Sequence, residues 1–596
     1  MKGKRAEAAL CIALGVGAAW AIPYTVALQG ERVLLTNSTA LFLIALAFAG
    51  AIGSVRARYG TPSGAHWALG GLFAALLVIG AELYQNECLT FNRQRMMFGT
   101  LAILFLASAL AHGVLALETA CAGARDALAP CPSRPAALVF IGCWAFIWLC
   151  WLPAFLAYFP AITSYDTGAQ LRQIASGAYV SDHPLVHTLF ISLCIRLGGS
   201  ARTGMAVYAA VQMLFLSAVF ACVLTAMRTW RVPRAAWLSA LLWYALCPTN
   251  ALLAITVTKD VFFSGCFILC ILATLHAVRE GKAFFQHPGR IVGMVALLCI
   301  TCLLRHNGVA ALAALAAGLF LVLPGSRTRA LCMCAASLCL YIAASSALSG
   351  ALKAAPGGFD SLLSVPVQQV AAAVNAHPER IDEEELEALD ALFGEDGLSR
   401  YMSYLADPVK GRMRQDLLAQ NPMRYLSLYL SIGRKCPANY LSAALALNAG
   451  MWYPDNALHA TGRMQTGIGY VETIDYFDWP GETLDRPGWL PGVHTLYEAF
   501  ASEGDYRHVG VLSILFSPGM STWALLLGTF ILVRDGRRRW IAAFAPAWGM
   551  LLILLLSPTV SVRYAYPIMA SIPLLGMAIL AKCGAQEEMP GRVENK

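Results

Sequence analysis

The sequence predicts an all-α polytopic membrane protein, and three observations lead to that fold class. Of the 596 residues, 58% are hydrophobic and only 13% are charged, and the mean hydropathy is +0.60. Apolar blocks of transmembrane length recur along the chain. Short clusters of Lys and Arg separate these blocks, as the positive-inside rule describes. A soluble domain would not combine these properties.

The basic residues also set the expected partners and the position of the first helix. The net charge of +8 does not indicate nucleic-acid binding, because the positive residues stand in short clusters between apolar blocks. The expected partner is the lipid bilayer. The N-terminus has a basic start and a long apolar run at 8–28. This run predicts a retained anchor, and a cleavable signal peptide is the alternative.

Placing the basic clusters in the cytoplasm gives a topology for the apolar blocks. Expected spans and hairpins lie near 8–28, 38–55, 66–83, 97–117, 136–157, 235–278, 290–323, 330–349, 511–533, 540–557 and 564–582. The segment 184–227 contains two apolar stretches, yet the charge pattern allows one net crossing there. Its first stretch, 184–199, is therefore either a span or a half-helix at the interface.

This topology divides the chain into four regions. They are N-terminal transmembrane helices at 1–135, a transmembrane core at 136–349 with a first outer loop at 158–183, an outer module at 350–510, and C-terminal transmembrane helices with a short cytoplasmic tail at 511–596. Most of the 18 cysteines lie in apolar blocks, where they behave as small hydrophobic residues. A disulfide bond between Cys88 and Cys436 is an alternative that the sequence leaves undecided, and it requires both side chains to face outward.

The same topology places four unusual polar groups on the outer side of the membrane. They are Asp166 with Asp182 and His183, Lys259 with Asp260, Arg305 with His306, and Arg563 with Tyr564. Single polar residues at span ends often cap helices or reach to the interface. Two outward arginines, however, depart from the positive-inside pattern and need anionic partners. A lipid phosphate or pyrophosphate is a natural partner for a guanidinium group.

Five segments carry a resemblance to a known superfamily: SYDTGAQ, SDHPLVHTLF, TVTKDVFF, LLRHNGV and SVRYAYPI. The chain resembles GT-C glycosyltransferases, and in particular an uncharacterised bacterial multi-pass branch. The resemblance covers about 136–350 and the last spans. It implies a GT-C-like helical bundle with a mainly helical extracytoplasmic module.

The resemblance also implies roles for individual residues. Asp166 would be the catalytic carboxylate, and Asp260 or Asp182 a second acidic residue that binds a metal or orients the acceptor. The donor phosphate would be bound by Arg305, Arg563, Lys259 and His306, with support from His183, Gln170 and Tyr564. No DxD or ExD pair occurs in the first outer loop. The sequence therefore leaves open whether the protein binds a divalent metal such as Mg or Mn.

The expected function is transfer of a sugar from a polyprenyl-phosphate-type lipid donor to an acceptor of the cell envelope. The acceptor would be a glycan, a lipid or a protein on the outer face of a bacterial plasma membrane, and the N-terminus would be cytoplasmic. Two alternatives remain: a lipid-linked glycan transporter or assembly protein, and a glycan polymerase or ligase. The strong polar groups gather at one face, whereas a transporter needs polar residues at mid-membrane, which favours the transferase.

The outer module is expected to be largely helical. Residues 382–393 have helical spacing of leucines, and 407–435 predicts two helices broken at Asn421 and Pro422. Its aromatic residues either stack on sugar rings, lie at the bilayer interface or form a small core. These aromatic residues, with nearby carboxylates as candidates for acceptor contacts, are Trp452, Tyr453, Tyr470, Tyr476, Trp479 and Trp489, and Asp455, Glu472, Asp475 and Asp478.

Overall fold

The computed structural model describes residues 2–25, 38–126, 135–358, 360–454, 473, 475–501 and 510–581. Among these residues, nine helices are long and apolar enough to cross a membrane, and a bent helix pair would make a tenth span. The only paired strands in the described ranges are two residues long. The prediction of an all-α polytopic membrane protein is confirmed at this level.

The helices of the N-terminal region and of the core follow the predicted apolar blocks. Before the outer module, the elements are α1 (Lys2–Ala21), α2 (Ser38–Tyr59), α3 (Gly64–Asn86), α4 (Arg93–Asp126), α5 (Ala136–Ala157), β1 (Ile162–Thr163), α6 (Tyr165–Ser176), α7 (Leu185–Gly198), α8 (Ala201–Thr229), α9 (Arg234–Leu246), α10 (Pro248–Ile255), β2 (Thr256–Val257), α11 (Lys259–Glu280), α12 (Pro288–Leu304), α13 (Gly308–Val322) and α14 (Arg327–Ala351). Helices α9 and α10 are bent by 46° at their junction.

The outer module is helical, and three further apolar helices follow it. These elements are α15 (Ser364–Ala376), α16 (Glu383–Phe393), α17 (Asp407–Lys410), α18 (Gln415–Gln420), α19 (Pro422–Lys435), α20 (Pro437–Asn448), α21 (Pro491–Glu498), α22 (Gly510–Leu515), α23 (Pro518–Arg534), α24 (Ile541–Leu554) and α25 (Val562–Leu580). The predicted break at Asn421 and Pro422 separates α18 from α19. Proline favours this boundary because it lacks an N–H and fixes φ.

The main core surrounds α11, which packs against α8, α12, α24 and α25. Its buried aromatic side chains include Phe263 and Phe267. The module has a separate core in which Val370, Leu389 and Ile432 are buried. Two cores mean that the outer module is stabilised by its own packing.

Helix α7 is the first of the two apolar stretches in the segment 184–227. The residue Ser181, just before α7, donates its backbone N–H to Ala355 of the outer module at 2.9 Å. Just after α7, the N–H groups of Ala201 and Arg202 donate to the Glu482 carboxylate of the same module. Both ends of α7 thus contact one module. Helix α7 has 14 residues and is shorter than the helices of membrane-spanning length, whereas α8 is one of those helices.

The N-terminal helices join the core through ion pairs at one end of α4. Arg125 pairs with Asp535 after α23, and Glu118 contacts both His66 and Arg534. The arginines of this end belong to clusters that the charge pattern assigns to the cytoplasm.

The proposed bridge between Cys88 and Cys436 does not form. Both are free thiols; Cys88 is exposed, whereas Cys436 is buried in the module core. Cys436 takes part in the hydrophobic contacts of the module, whereas Cys88 lies in the loop after α3.

Candidate active site

The candidate site is built on the two short strands, each of which leads directly into a helix. Strands β1 and β2 are parallel, with Ile162 opposite Thr256 and Thr163 opposite Val257. The β-branched residues of both segments favour the extended conformation. Because the pair is parallel, the helix that follows each strand starts at the same end. The first turn of α6, with Asp166, therefore lies beside the first turn of α11, with Lys259.

Hydroxyl groups at the start of α6 fix this arrangement. Ser164 and Thr167 both donate to the Val257 carbonyl, at 2.9 and 2.6 Å. Gln212 on α8 donates to the carbonyls of Leu253 and Thr256. These bonds satisfy backbone groups at the break between α10 and β2, where no helix partner is available.

Asp166 lies between two cations. Its Oδ2 accepts from Lys259 Nζ at 2.7 Å and from Arg563 Nη1 at 3.2 Å. Asp166 is 8% exposed. Burial opposes its ionisation, but Lys259, Arg563 and His183 outweigh burial and hold the pKa of Asp166 below its ordinary value. Asp166 is therefore an anion at neutral pH and a weak base in the absence of ligand.

Asp260 and Arg305 form a second, more buried ion pair next to the first. Arg305 Nη1 donates to Asp260 Oδ1, and the two side chains are 9% and 1% exposed. Thr258 also donates its hydroxyl to Asp260 Oδ2, at 3.1 Å. The first turn of α11 adds N–H groups and a positive dipole end, which suit a carboxylate at this position.

Tyr564 connects the two ion pairs. The guanidinium carbon of Arg305 lies 4.7 Å from the ring centre of Tyr564, and that of Arg563 lies 4.9 Å from it. Cation–π contacts of this kind hold planar guanidinium groups in a fixed orientation. The cluster thus contains one lysine, two arginines and two carboxylates, which leaves one positive charge in excess when all five groups are ionised.

Two histidines border the cluster. His183 Nδ1 lies 3.2 Å from Lys259 Nζ, and His306 Nδ1 lies 2.9 Å from the Tyr341 hydroxyl. Burial lowers the pKa of both, and the charge of Lys259 acts in the same direction. Both are therefore neutral at pH 7. They flank a crevice whose other walls combine apolar side chains of α7, α12 and α14, such as Leu303 and Leu348, with the hydroxyl groups of Tyr341 and Ser345.

A segment of the outer module packs against β1 and α6 and is hydrogen-bonded to β1. Asp475 accepts from the Thr163 N–H at 3.1 Å and from Arg486 at 2.6 Å. Tyr476 donates its N–H to the Thr163 carbonyl, and its ring meets the Tyr165 ring at a centroid distance of 5.4 Å. The module thereby contacts the segment that carries Asp166.

The structure brings most of the predicted site residues together but separates others. Asp166, Lys259, Asp260, Arg305, Arg563 and Tyr564 form one cluster, with His183 and His306 at its edge. Asp182 accepts at its Oδ1 from the Gly358 N–H, and its charge acts on the neighbouring His183. Gln170 is fully buried behind the cluster and contacts Thr188 and His187.

The aromatic and acidic candidates of the module have several different environments. Trp452 and Tyr453 are buried in the core, Trp479 packs beside α6 and α8, and Trp489 is exposed. Asp475 and Asp478 are paired with Arg486 and Arg172. Tyr470, Asp455 and Glu472 lie outside the described residues.

Two features of the site were not predicted from the sequence. The first is that each arginine has a carboxylate partner within the protein, although Arg563 shares Asp166 with Lys259. The second is the strand pair. Its signal was present as short β-branched runs with hydroxyl residues, AITS and TVT, immediately before Tyr165 and Lys259.

No group of three or more His, Cys, Asp or Glu side chains within the described ranges is arranged to hold a metal ion. Asp166 and Asp260 each face a cation instead.

Residues 175–590 match a family model described as a family of unknown function, DUF6020. The chain belongs to this family. The match includes Lys259, Asp260, Arg305 and Arg563, and it begins after Asp166. No curated protein and no solved structure matches the chain.

Proposed function

We propose that this DUF6020 protein is a membrane glycosyltransferase with a GT-C-like bundle. It would transfer a sugar from a polyprenyl-phosphate-type lipid donor to an acceptor of the cell envelope. The observation that carries the proposal is the cluster of Asp166 with Lys259, Arg563 and the Asp260–Arg305 pair. It joins a carboxylate to an excess of cations at the ends of apolar helices.

The charge of the cluster supports an anionic ligand. Three cations and two carboxylates leave one positive charge, which a phosphodiester with a single negative charge would neutralise. Planar guanidinium groups can contact phosphate oxygens through two parallel N–H donors. The donor phosphate would lie against Lys259 and Arg563 and compete there with the carboxylate of Asp166.

Asp166 then has a defined role in the reaction. When the phosphate takes over the contacts with Lys259 and Arg563, the carboxylate loses the neighbours that lower its pKa. It becomes a better acceptor for the proton of the attacking hydroxyl group. As the bond between the sugar and the donor phosphate breaks, Lys259 and Arg563 stabilise the charge on the leaving phosphate.

The lipid part of the donor would lie beside the crevice, whose volume of about 20 Å³ must widen to admit a prenyl chain. His183 contacts Lys259 and also lines the crevice, whose other walls include aliphatic side chains. The proposal places this face outside the cell, because Arg305 and Arg563 lie at the ends opposite to the basic clusters.

The proposal is tested by removing the gene and analysing membrane lipids by mass spectrometry. Loss of the protein is expected to cause a polyprenyl-phosphate-linked sugar to accumulate. Wild-type protein should reverse the accumulation and Asp166→Asn should not, although both reach the membrane in equal amounts. An unchanged lipid profile after gene removal would contradict the proposal.

A further inference from the structure

A chain of buried polar side chains lies directly behind the candidate site. It begins on α6 with Gln170, whose side-chain amide lies 2.8 Å from Thr188 Oγ1 and 3.0 Å from His187 Nδ1. His187 Nε2 lies 2.7 Å from the Tyr208 hydroxyl. Tyr208 in turn lies 3.1 Å from the Thr258 carbonyl oxygen. All five residues are at most 1% exposed.

The directions of these hydrogen bonds follow from the Thr258 carbonyl oxygen, at one end of this series of side chains. A carbonyl oxygen only accepts, so Tyr208 donates its O–H to Thr258. The Tyr208 oxygen then accepts from the Nε2–H of His187. At the other end, the Gln170 Nε2–H donates to Thr188 Oγ1, which places the Gln170 Oε1 opposite His187 Nδ1.

The chain connects the two segments that carry the ion pairs. Gln170 is one helical turn after Asp166 on the same helix, α6. Thr258 immediately precedes Lys259 and Asp260. Because a buried polar group without a partner is costly, each of these side chains is held in its hydrogen-bonded arrangement. That arrangement fixes the distance between the starts of α6 and α11.

We infer that His187 and Tyr208 are positioning residues that hold Asp166 in register with Lys259. Neither side chain contacts the cluster itself. The inference rests on the proposed function for its catalytic consequence, but the positioning can be measured without any reaction.

The first test uses Tyr208→Phe, which removes the hydroxyl and keeps the ring. Its matched control is Tyr244→Phe, since Tyr244 is also buried and donates to a backbone carbonyl, that of Ala570, at 3.0 Å. We expect Tyr208→Phe to lower kcat for sugar transfer about 10–100-fold, as misplacement of a reacting group does. The Kd for the lipid donor should stay within about twofold, because the arginines are held by other elements. Equal loss in both variants, or a loss confined to Kd, would overturn the inference.

The second test does not depend on catalysis. The non-additivity of melting-temperature shifts in Asp166→Asn, Lys259→Gln and the double variant measures the coupling of this ion pair. We expect that coupling to fall by at least half in the Tyr208→Phe background and to be unchanged with Tyr244→Phe. Undiminished coupling would overturn the inference. If Tyr208→Phe does not fold, Gln170→Met breaks the same chain at α6 and is measured in its place.

The two tests separate the two claims. If the wild-type protein transfers no sugar, the proposed function fails, while the coupling measurement still decides the positioning role. If transfer occurs and the coupling is insensitive to Tyr208, only the positioning role fails.

Discussion

At the residue scale, Asp166 occupies the place between Lys259 and Arg563 that the donor phosphate is proposed to share. Its carboxylate therefore has two opposing effects. It supplies the proton acceptor for transfer, and it reduces the positive potential available to bind an anion. Substitution separates these effects.

Asp166→Asn should lower turnover about 10²–10⁴-fold, the usual contribution of a general base. The same change should tighten binding of a non-reactive polyprenyl phosphate, since both cations lose their carboxylate partner. Turnover and Kd are measured on purified protein in nanodiscs. Asp478→Asn is the control. Asp478 forms an exposed ion pair with Arg172, which lies on α6, the helix of Asp166. Near-normal turnover in Asp166→Asn would make Asp166 a structural helix cap.

The two arginines are expected to require their planar head groups. Arg305→Lys and Arg563→Lys should each weaken donor binding by about 1.5–3 kcal/mol, the range for a lost charged hydrogen bond. A residue that only reaches towards lipid head groups would tolerate lysine. Titration with the donor decides between these cases, and unchanged affinity in both variants would remove the arginines from the phosphate site.

The ionisation of Asp166 gives a prediction for pH dependence. Its pKa in the folded protein is lowered from 3.8, so its ion pairs stabilise the fold above that pH. They are lost only as the pH falls through the lower, folded pKa. The difference in melting temperature between wild type and Asp166→Asn should therefore be constant from about pH 5 to 8. A difference that disappears between pH 7 and pH 5 would show that Asp166 is not held as an anion.

At the element scale, the Asp260–Arg305 pair joins the start of α11 to the end of α12. Both side chains are almost fully buried, so Arg305→Leu leaves an unpaired carboxylate in the interior. We expect a loss of about 3–5 kcal/mol in the free energy of unfolding, most of it restored by adding Asp260→Asn.

This stability prediction is checked by chemical unfolding in detergent. Arg172→Leu is a control that breaks the exposed pair with Asp478, and it should cost less than about 1 kcal/mol. If Arg305→Leu is no worse than Arg172→Leu, the inner pair does not hold the two helices together.

Helix α7 gives a topological prediction. Both of its ends contact the outer module, so we expect both to lie on one side of the membrane. Ser181→Cys and Arg202→Cys should both be labelled by a membrane-impermeant thiol reagent added outside intact cells, above the labelling of native cysteines. Labelling of only one position would mean that α7 crosses the bilayer.

At the scale of the whole molecule, the apolar blocks and basic clusters predicted the long apolar helices. Hydrophobic length and the placement of Lys and Arg are local properties, so 235–278 and 290–323 could be assigned as hairpins before their helices were seen. The side of the membrane for Asp166, Lys259, Arg305 and Arg563 came from the same pattern, and the structure places all four in one cluster.

The pairing within that cluster could not be predicted in the same way. Which carboxylate faces which cation depends on the register of β1 with β2, a contact between segments more than 90 residues apart. The position of α7 relative to the membrane was also ambiguous. Its short apolar sequence is compatible with a buried, interfacial or spanning helix. Its contacts with Ala355 and Glu482 of the outer module favour a helix that lies on one side of the membrane.

The central claim is that Lys259 and Arg563 bind the phosphate of a lipid-linked sugar beside Asp166. The most direct measurement is photo-crosslinking of the purified protein in nanodiscs with a polyprenyl phosphate that carries a diazirine near the phosphate. We predict saturable labelling in the peptides around Lys259 and Arg563, and loss of that labelling in the double variant Lys259→Gln/Arg563→Gln. Asp478→Asn should label like the wild type. Labelling that is not saturable, or that persists unchanged in the double variant, would contradict the account.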